Sequence, residues 1–160
     1  MGEGTPVNNI ESARAKTPWH LWVLGIVSLI WFAGGANDYV MTKTANAAYL
    51  GMAADSMGVT TAEILLYYNG FPLWATVCWA LGVWGAVAGS LLLLLRIRFA
   101  FHAFVLSLAG LAGSTIYTFT SDIPAAFVTT GQLVFTVLIW ASVIGMAAYA
   151  NAMRRAGVLR

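Results

Sequence analysis

Charge is what this chain has least of. Only 9% of its 160 residues are Asp, Glu, Lys or Arg, against roughly 25% in an average soluble domain. Cysteine is nearly missing too. Cys78 stands alone, which excludes an intramolecular disulfide and any metal site built on several thiolates. Histidine occurs twice, as His20 and His102, too few for a metal cluster of its own. There is no P-loop, dinucleotide fingerprint, zinc motif or hydrolase motif. The histidines and most of the acids fall at opposite ends of the apolar runs, so no Ser-His-Asp set can meet at one depth. These absences argue against an enzyme, and nothing in the chain suggests a nucleic-acid partner.

What is present points to a bilayer. The chain is 60% hydrophobic, with 7 Trp, 6 Tyr and 8 Phe, and its mean hydropathy is +0.78. A water-soluble protein this apolar would expose large greasy patches. Four runs are long enough to cross about 30 Å of hydrocarbon at about 1.5 Å per residue. They lie at about residues 19–39, 72–95, 99–119 and 124–150. The expected fold is therefore all-α, an integral membrane bundle of four transmembrane helices over residues 18–150. A polar tail precedes it at 1–17 and a basic tail follows at 151–160.

Arg14, Lys16, Arg96, Arg98, Arg154, Arg155 and Arg160 all fall on one side of this arrangement, and only Lys43 lies on the other. By the positive-inside rule both termini are expected in the cytoplasm of a bacterial inner membrane. Asp38, Asp55, Glu63 and Asp122 then lie outside. Residues 40–71 form the one long connection. Within it, Thr60-Thr61-Ala62-Glu63 reads as a capping box, with Thr at the cap and Glu three positions on. Ile64 to Tyr68 follow, then Asn69-Gly70 as a stop, which predicts a short interfacial helix. A second one over 46–57 has a weaker pattern. Thr120 to Ile123 read as a tight turn.

Asp38 closes the first run. It lies nineteen residues beyond Trp19, or about 28 Å at helical rise. That places it at the outer edge of the hydrocarbon, where a wet carboxylate needs no compensation. The alternative is an inward-facing Asp38 in a polar pocket between helices. Candidates for such a pocket are Asn37, Asp38, Tyr67, Asn69, Tyr117 and Gln132, with Tyr68 and Thr130 nearby. Aromatic faces with amides and a carboxylate can hold a sugar. Gln132 is expected about two turns into the fourth span, hydrogen-bonded across helices.

Small residues recur at bundle spacing. The second span carries Cys78, Gly82, Gly85 and Gly89, the third Ala103, Ser107, Gly110 and Ser114, and the fourth Ser142, Gly145, Ala148 and Ala152. Such stripes let membrane helices approach closely, so Gly82, Gly85, Gly89, Ser107, Gly110, Ser114 and Gly145 are the predicted packing positions. Trp31, Trp79, Trp84 and Trp140 sit well inside their runs, where each indole N–H needs a partner. Ser28, Ser90, Thr136 or freed carbonyls are the candidates. Deep tryptophans act as knobs beside glycine holes or line a slot for a lipid, quinone or carotenoid. His20 and His102 fall near one interface, and two imidazoles at matching depth can ligate a haem or pigment metal. As interfacial side chains they need no such role.

The segments PWHLWVLGIVSLIW (Pro18 to Trp31), NDYVMTKTANAAYL (Asn37 to Leu50), FPLWATVCWALGVWGAVAGSLLLLLR (Phe71 to Arg96) and SLAG (Ser107 to Gly110) together resemble a group of small four-span proteins of proteobacterial inner membranes. The resemblance covers about residues 17–120. It implies four spans and an inner-membrane location, and sugar transport is the activity often attached to that group. Three functions are thus carried forward. The first is a non-enzymatic accessory or scaffold subunit that packs, in the bilayer, against other membrane subunits or copies of itself. The second is a small oligomeric transporter, and the third a haem-, pigment- or quinone-binding subunit.

Overall fold

The structure is a computed structural model and describes residues 17–121, 127 and 129–160. The polar N-terminal tail as far as Lys16, and the Asp122–Ile123 half of the expected turn, lie outside the described residues. Six helices account for most of what is described: α1 Trp19–Lys43, α2 Ala47–Met57, α3 Thr61–Asn69, α4 Leu73–Leu94, α5 Ala100–Thr120 and α6 Thr130–Arg155. Four of them, α1, α4, α5 and α6, are long and apolar enough to cross a membrane. The chain therefore has the make-up of a multi-pass integral membrane protein, an all-helical bundle with two short helices between the first two spans.

Three span boundaries differ from the sequence reading, one of them the end of α6, which runs to Arg155 instead of about residue 150. The first span was expected to end at about Tyr39, yet α1 continues to Lys43. Thr42 in that extra turn is buried, so packing holds the helix beyond the apolar run. The fourth span was expected from Pro124, which lies outside the described residues, but α6 begins at Thr130. Thr129 is its N-cap, its hydroxyl accepting from the Gln132 amide at 3.2 Å. The Thr60 capping box forms as expected. Its hydroxyl accepts from the Glu63 amide at 3.3 Å, and the Thr60 amide donates to the Glu63 carboxylate at 2.7 Å.

The α4–α5 pair is the centre of the bundle, with α1 packed on α4 and α6 on α5. Glycine makes the central approach possible. A Cβ on Gly85 would lie 3.0 Å from the Ser107 backbone, and one on Gly82 would lie 3.3 Å from the Leu111 amide. Across the same seam Ser107 Oγ donates to the Gly82 carbonyl at 2.5 Å. The Phe104 ring fills the hole over Gly89, 2.9 Å from where a Cβ would stand, and meets Phe32 of α1 at 6.2 Å. In lipid there is no hydrophobic drive between helices, so this dispersion contact and the hydrogen bond supply the adhesion.

The main core gathers toward the arginine-bearing end, where Leu21, Leu93, Ala100, Phe104 and Ala150 are buried with Val158 and Leu159. Beyond α6 the chain turns through Gly157 in the left-handed region, φ 71°, with the Val158 amide bonded to the Met153 carbonyl at 3.0 Å. That Schellman turn brings Arg160 back onto the α4–α5 connection. The Arg160 amide donates to the Arg96 carbonyl at 2.7 Å, and the Arg98 amide to the Arg160 carbonyl at 2.6 Å. Arg96 itself takes φ 58°, a conformation costly for a residue with a Cβ. Its guanidinium donates to Thr17 Oγ1 at 2.9 Å, tying the start of α1 to this end.

Candidate functional site

Two features stand out, one at each end of the bundle. The first lies where α2 and α3 cover the ends of α1, α4 and α5. α2 and α3 share a small core of Leu50, Ala54 and Ile64, with Tyr68 and Phe127 against it. From there aromatic rings form a continuous series. Tyr67 stacks on Phe127 at 4.5 Å, Tyr68 stacks on Trp79 at 5.1 Å, and Tyr39 meets the Trp79 edge at 4.7 Å. Phe71 and Trp74 contact Tyr117 at 4.7 and 5.6 Å. The Lys43 ammonium sits 5.5 Å from the centre of the Trp79 ring. Tyr39, Tyr68 and Lys43 of the chain itself thus surround Trp79.

Asp38 belongs to this end, but neither as a free wet carboxylate nor in a pocket between spans. It is half-buried, and Tyr49 of α2 donates its phenol hydrogen to it at 2.6 Å. Burial first, and then Asp38 as hydrogen-bond acceptor and as a negative charge, push the Tyr49 phenol up to about 12. Tyr68 is raised as well, mainly by burial, with Asp38 and the neighbouring phenols adding to it. For Tyr67 burial again leads, with Tyr117 beside it.

The six expected pocket residues do not converge. Tyr67 and Tyr117 share the aromatic series through Phe71. Asn37, Asn69 and Gln132 are exposed. Gln132 lies in the first turn of α6 rather than two turns in, and among the described residues its side chain bonds to no other helix. Among the described residues this end is a wall of packed aromatic rings.

The second feature is a groove between α1 and α6. Among the described residues, two aromatic contacts link these helices. His20 and Tyr149 share a hydrogen bond of 2.5 Å at the arginine end, and Trp31 meets Phe135 at 6.0 Å further along. Between those bridges the helices part, leaving a groove of about 680 Å³. Leu24, Ser28 and Trp31 line one wall and Leu138, Ser142 and Gly145 the other. Gly145 was expected at a helix contact; among the described residues of this chain a Cβ added there meets nothing within 4 Å, and it lines the groove.

The two histidines have separate partners. His20 is engaged by Tyr149, whereas His102 is exposed and touches Phe99 and Phe101 of its own segment. Among the described residues no three of His, Cys, Asp or Glu are grouped to hold a metal. Trp140 does find a partner, one the sequence reading did not name. Its indole donates to Thr115 Oγ1 of α5 at 3.2 Å, while that hydroxyl donates to the Leu111 carbonyl at 2.7 Å. Comparison with protein-family models, with curated proteins and with solved structures gives no match to this chain.

Proposed function

We propose that this protein is a non-enzymatic structural subunit of the membrane, packing beside other membrane subunits rather than moving a solute. The supporting observation is how the hydroxyls inside the spans are used. Ser28 donates to the Gly25 carbonyl, Ser90 to Ala86, Ser114 to Gly110 and Ser142 to Leu138, all at 2.7–3.1 Å. Ser107 bonds across the seam to Gly82. Among the described residues no buried side-chain polar atom lacks a partner. A transport path needs polar groups turned toward a passage or an alternating site. Here the serines of the spans are turned back onto backbone, and Trp140 and His20 are spent on Thr115 and Tyr149.

The charge distribution supports an orientation with the arginine end in the cytoplasm and α2–α3 outside, in a bacterial inner membrane. Sugar transport, which the family resemblance suggests, is the second reading, and the ring series at the α2–α3 end is the feature in its favour. Proteoliposomes holding the purified protein separate the two. Uptake of labelled glucose, galactose and mannose should stay at the level of empty vesicles. Saturable uptake lost in Asp38→Asn or Tyr67→Ala would establish transport instead.

A further inference from the structure

We propose that the α1–α6 groove seats an acyl chain of an anionic phospholipid, with the headgroup at the arginine end. The groove's size is of the right order, about 680 Å³, within the roughly 300–1,000 Å³ of small-ligand sites. Its length identifies the occupant. The lining runs from Leu24 to Phe32 on α1 and from Leu138 to Tyr149 on α6, which is about 12 and about 16 Å at about 1.5 Å per residue. That is about half of a hydrocarbon core of about 30 Å. Trp31 and Phe135 meet at that depth, at 6.0 Å. A transmembrane helix from a partner would need the full thickness, whereas one leaflet's acyl chain needs half.

The wall chemistry agrees. The lining side chains are largely aliphatic and aromatic, and the two serines among them spend their hydrogens on the carbonyls of Gly25 and Leu138. What remains is an apolar slot widened at Gly145. At its arginine end the polar partners change. His20 and Tyr149 bridge the walls there. Arg96 is bonded to Thr17 just before α1, and Arg154 and Arg155 end α6. Arg98 and Arg160 join them at this end through their backbone pairing. The described acids, Asp38, Asp55 and Glu63, all belong to the opposite end. A phosphate-bearing, net negative headgroup is the complement of that array.

The test is native mass spectrometry of the delipidated protein in detergent, with added dioleoyl phosphatidylglycerol or dioleoyl phosphatidylcholine. Gly145→Trp fills the slot without overpacking the bundle, because the space beside Gly145 is open. Ile144→Trp, on the exposed neighbouring position, is the control, and helicity by circular dichroism checks that both variants fold. The expected result is one retained phosphatidylglycerol in wild type and Ile144→Trp. Retention should be about tenfold weaker in Gly145→Trp and about tenfold weaker for phosphatidylcholine. Equal retention in folded Gly145→Trp would place the lipid elsewhere and overturn the proposal. Equal retention of the two lipids would remove the headgroup complementarity. A dimer that Gly145→Trp dissociates would make the groove an interface between copies.

Discussion

Tyr49 on the short helix α2 donates its phenol hydrogen to the Asp38 carboxylate on α1 across 2.6 Å. This hydrogen bond, with the Tyr68–Trp79 stack, fastens the α2–α3 unit to the bundle, and it turns an acid at the end of an apolar run into a structural anchor. Tyr49→Phe removes the donor and leaves the ring. A hydrogen bond to a charged group is worth about 1.5–3 kcal/mol, and partial exposure brings the expected loss toward about 1 kcal/mol. Hydrogen exchange should speed up across α2 and stay unchanged at the α4–α5 seam.

The same pair sets an alkaline limit. Tyr49 ionises at about 12 in the folded protein against 10.0 for an ordinary phenol. A raised value means the phenol stabilises the docked state fully below pH about 10, and that contribution is lost as pH rises through about 12. Exchange protection of α2 followed across that range should start lower and fall less steeply in Tyr49→Phe than in wild type, the remaining fall coming from the raised Tyr67 and Tyr68.

Gly85 and Gly145 carry the same residue type at similar stripes but should respond oppositely. Gly85→Leu drives a side chain into the Ser107 backbone, and overpacking of this kind costs about 1–3 kcal/mol. Gly145→Leu enters open groove and should leave the thermal midpoint in detergent nearly unchanged. The comparison of the two midpoints is the check.

Much of this was legible in the sequence, and the exceptions have physical reasons. Apolar runs and flanking arginines mark four spans because lipid forbids unpaired backbone. The Thr60–Glu63 pattern marks the start of α3. The start of α6 was legible too, in Thr129 and Gln132 three residues on, yet Pro124 draws attention first. Hidden from sequence was which stripe meets a neighbour. Gly85 and Gly145 read alike, since spacing defines a helix face but not what stands opposite. For the same reason Trp140 gives no sign of Thr115 as its partner.

The Trp140–Thr115 bond bridges α6 and α5 within the spans. A double-mutant cycle with Trp140→Phe and Thr115→Val should return a coupling of about 0.6 kcal/mol, the average for such bonds between membrane helices. Equilibrium unfolding in mixed micelles measures it.

The proposed topology rests on the arginines. In a Cys78→Ser background, an impermeant thiol reagent added to intact cells should label a cysteine at Ser56 on α2 and spare one at Ala156 after α6. The reverse labelling would invert the orientation proposed here.

The claim that this is a structural subunit meets its most direct test in the mass of the particle that holds it. Extracted from its own membrane in mild detergent and weighed by native mass spectrometry, it should appear in a fixed-stoichiometry assembly with another membrane protein. Collision should release it intact. A particle containing only this chain and lipid, under conditions that keep known membrane complexes whole, would contradict the account.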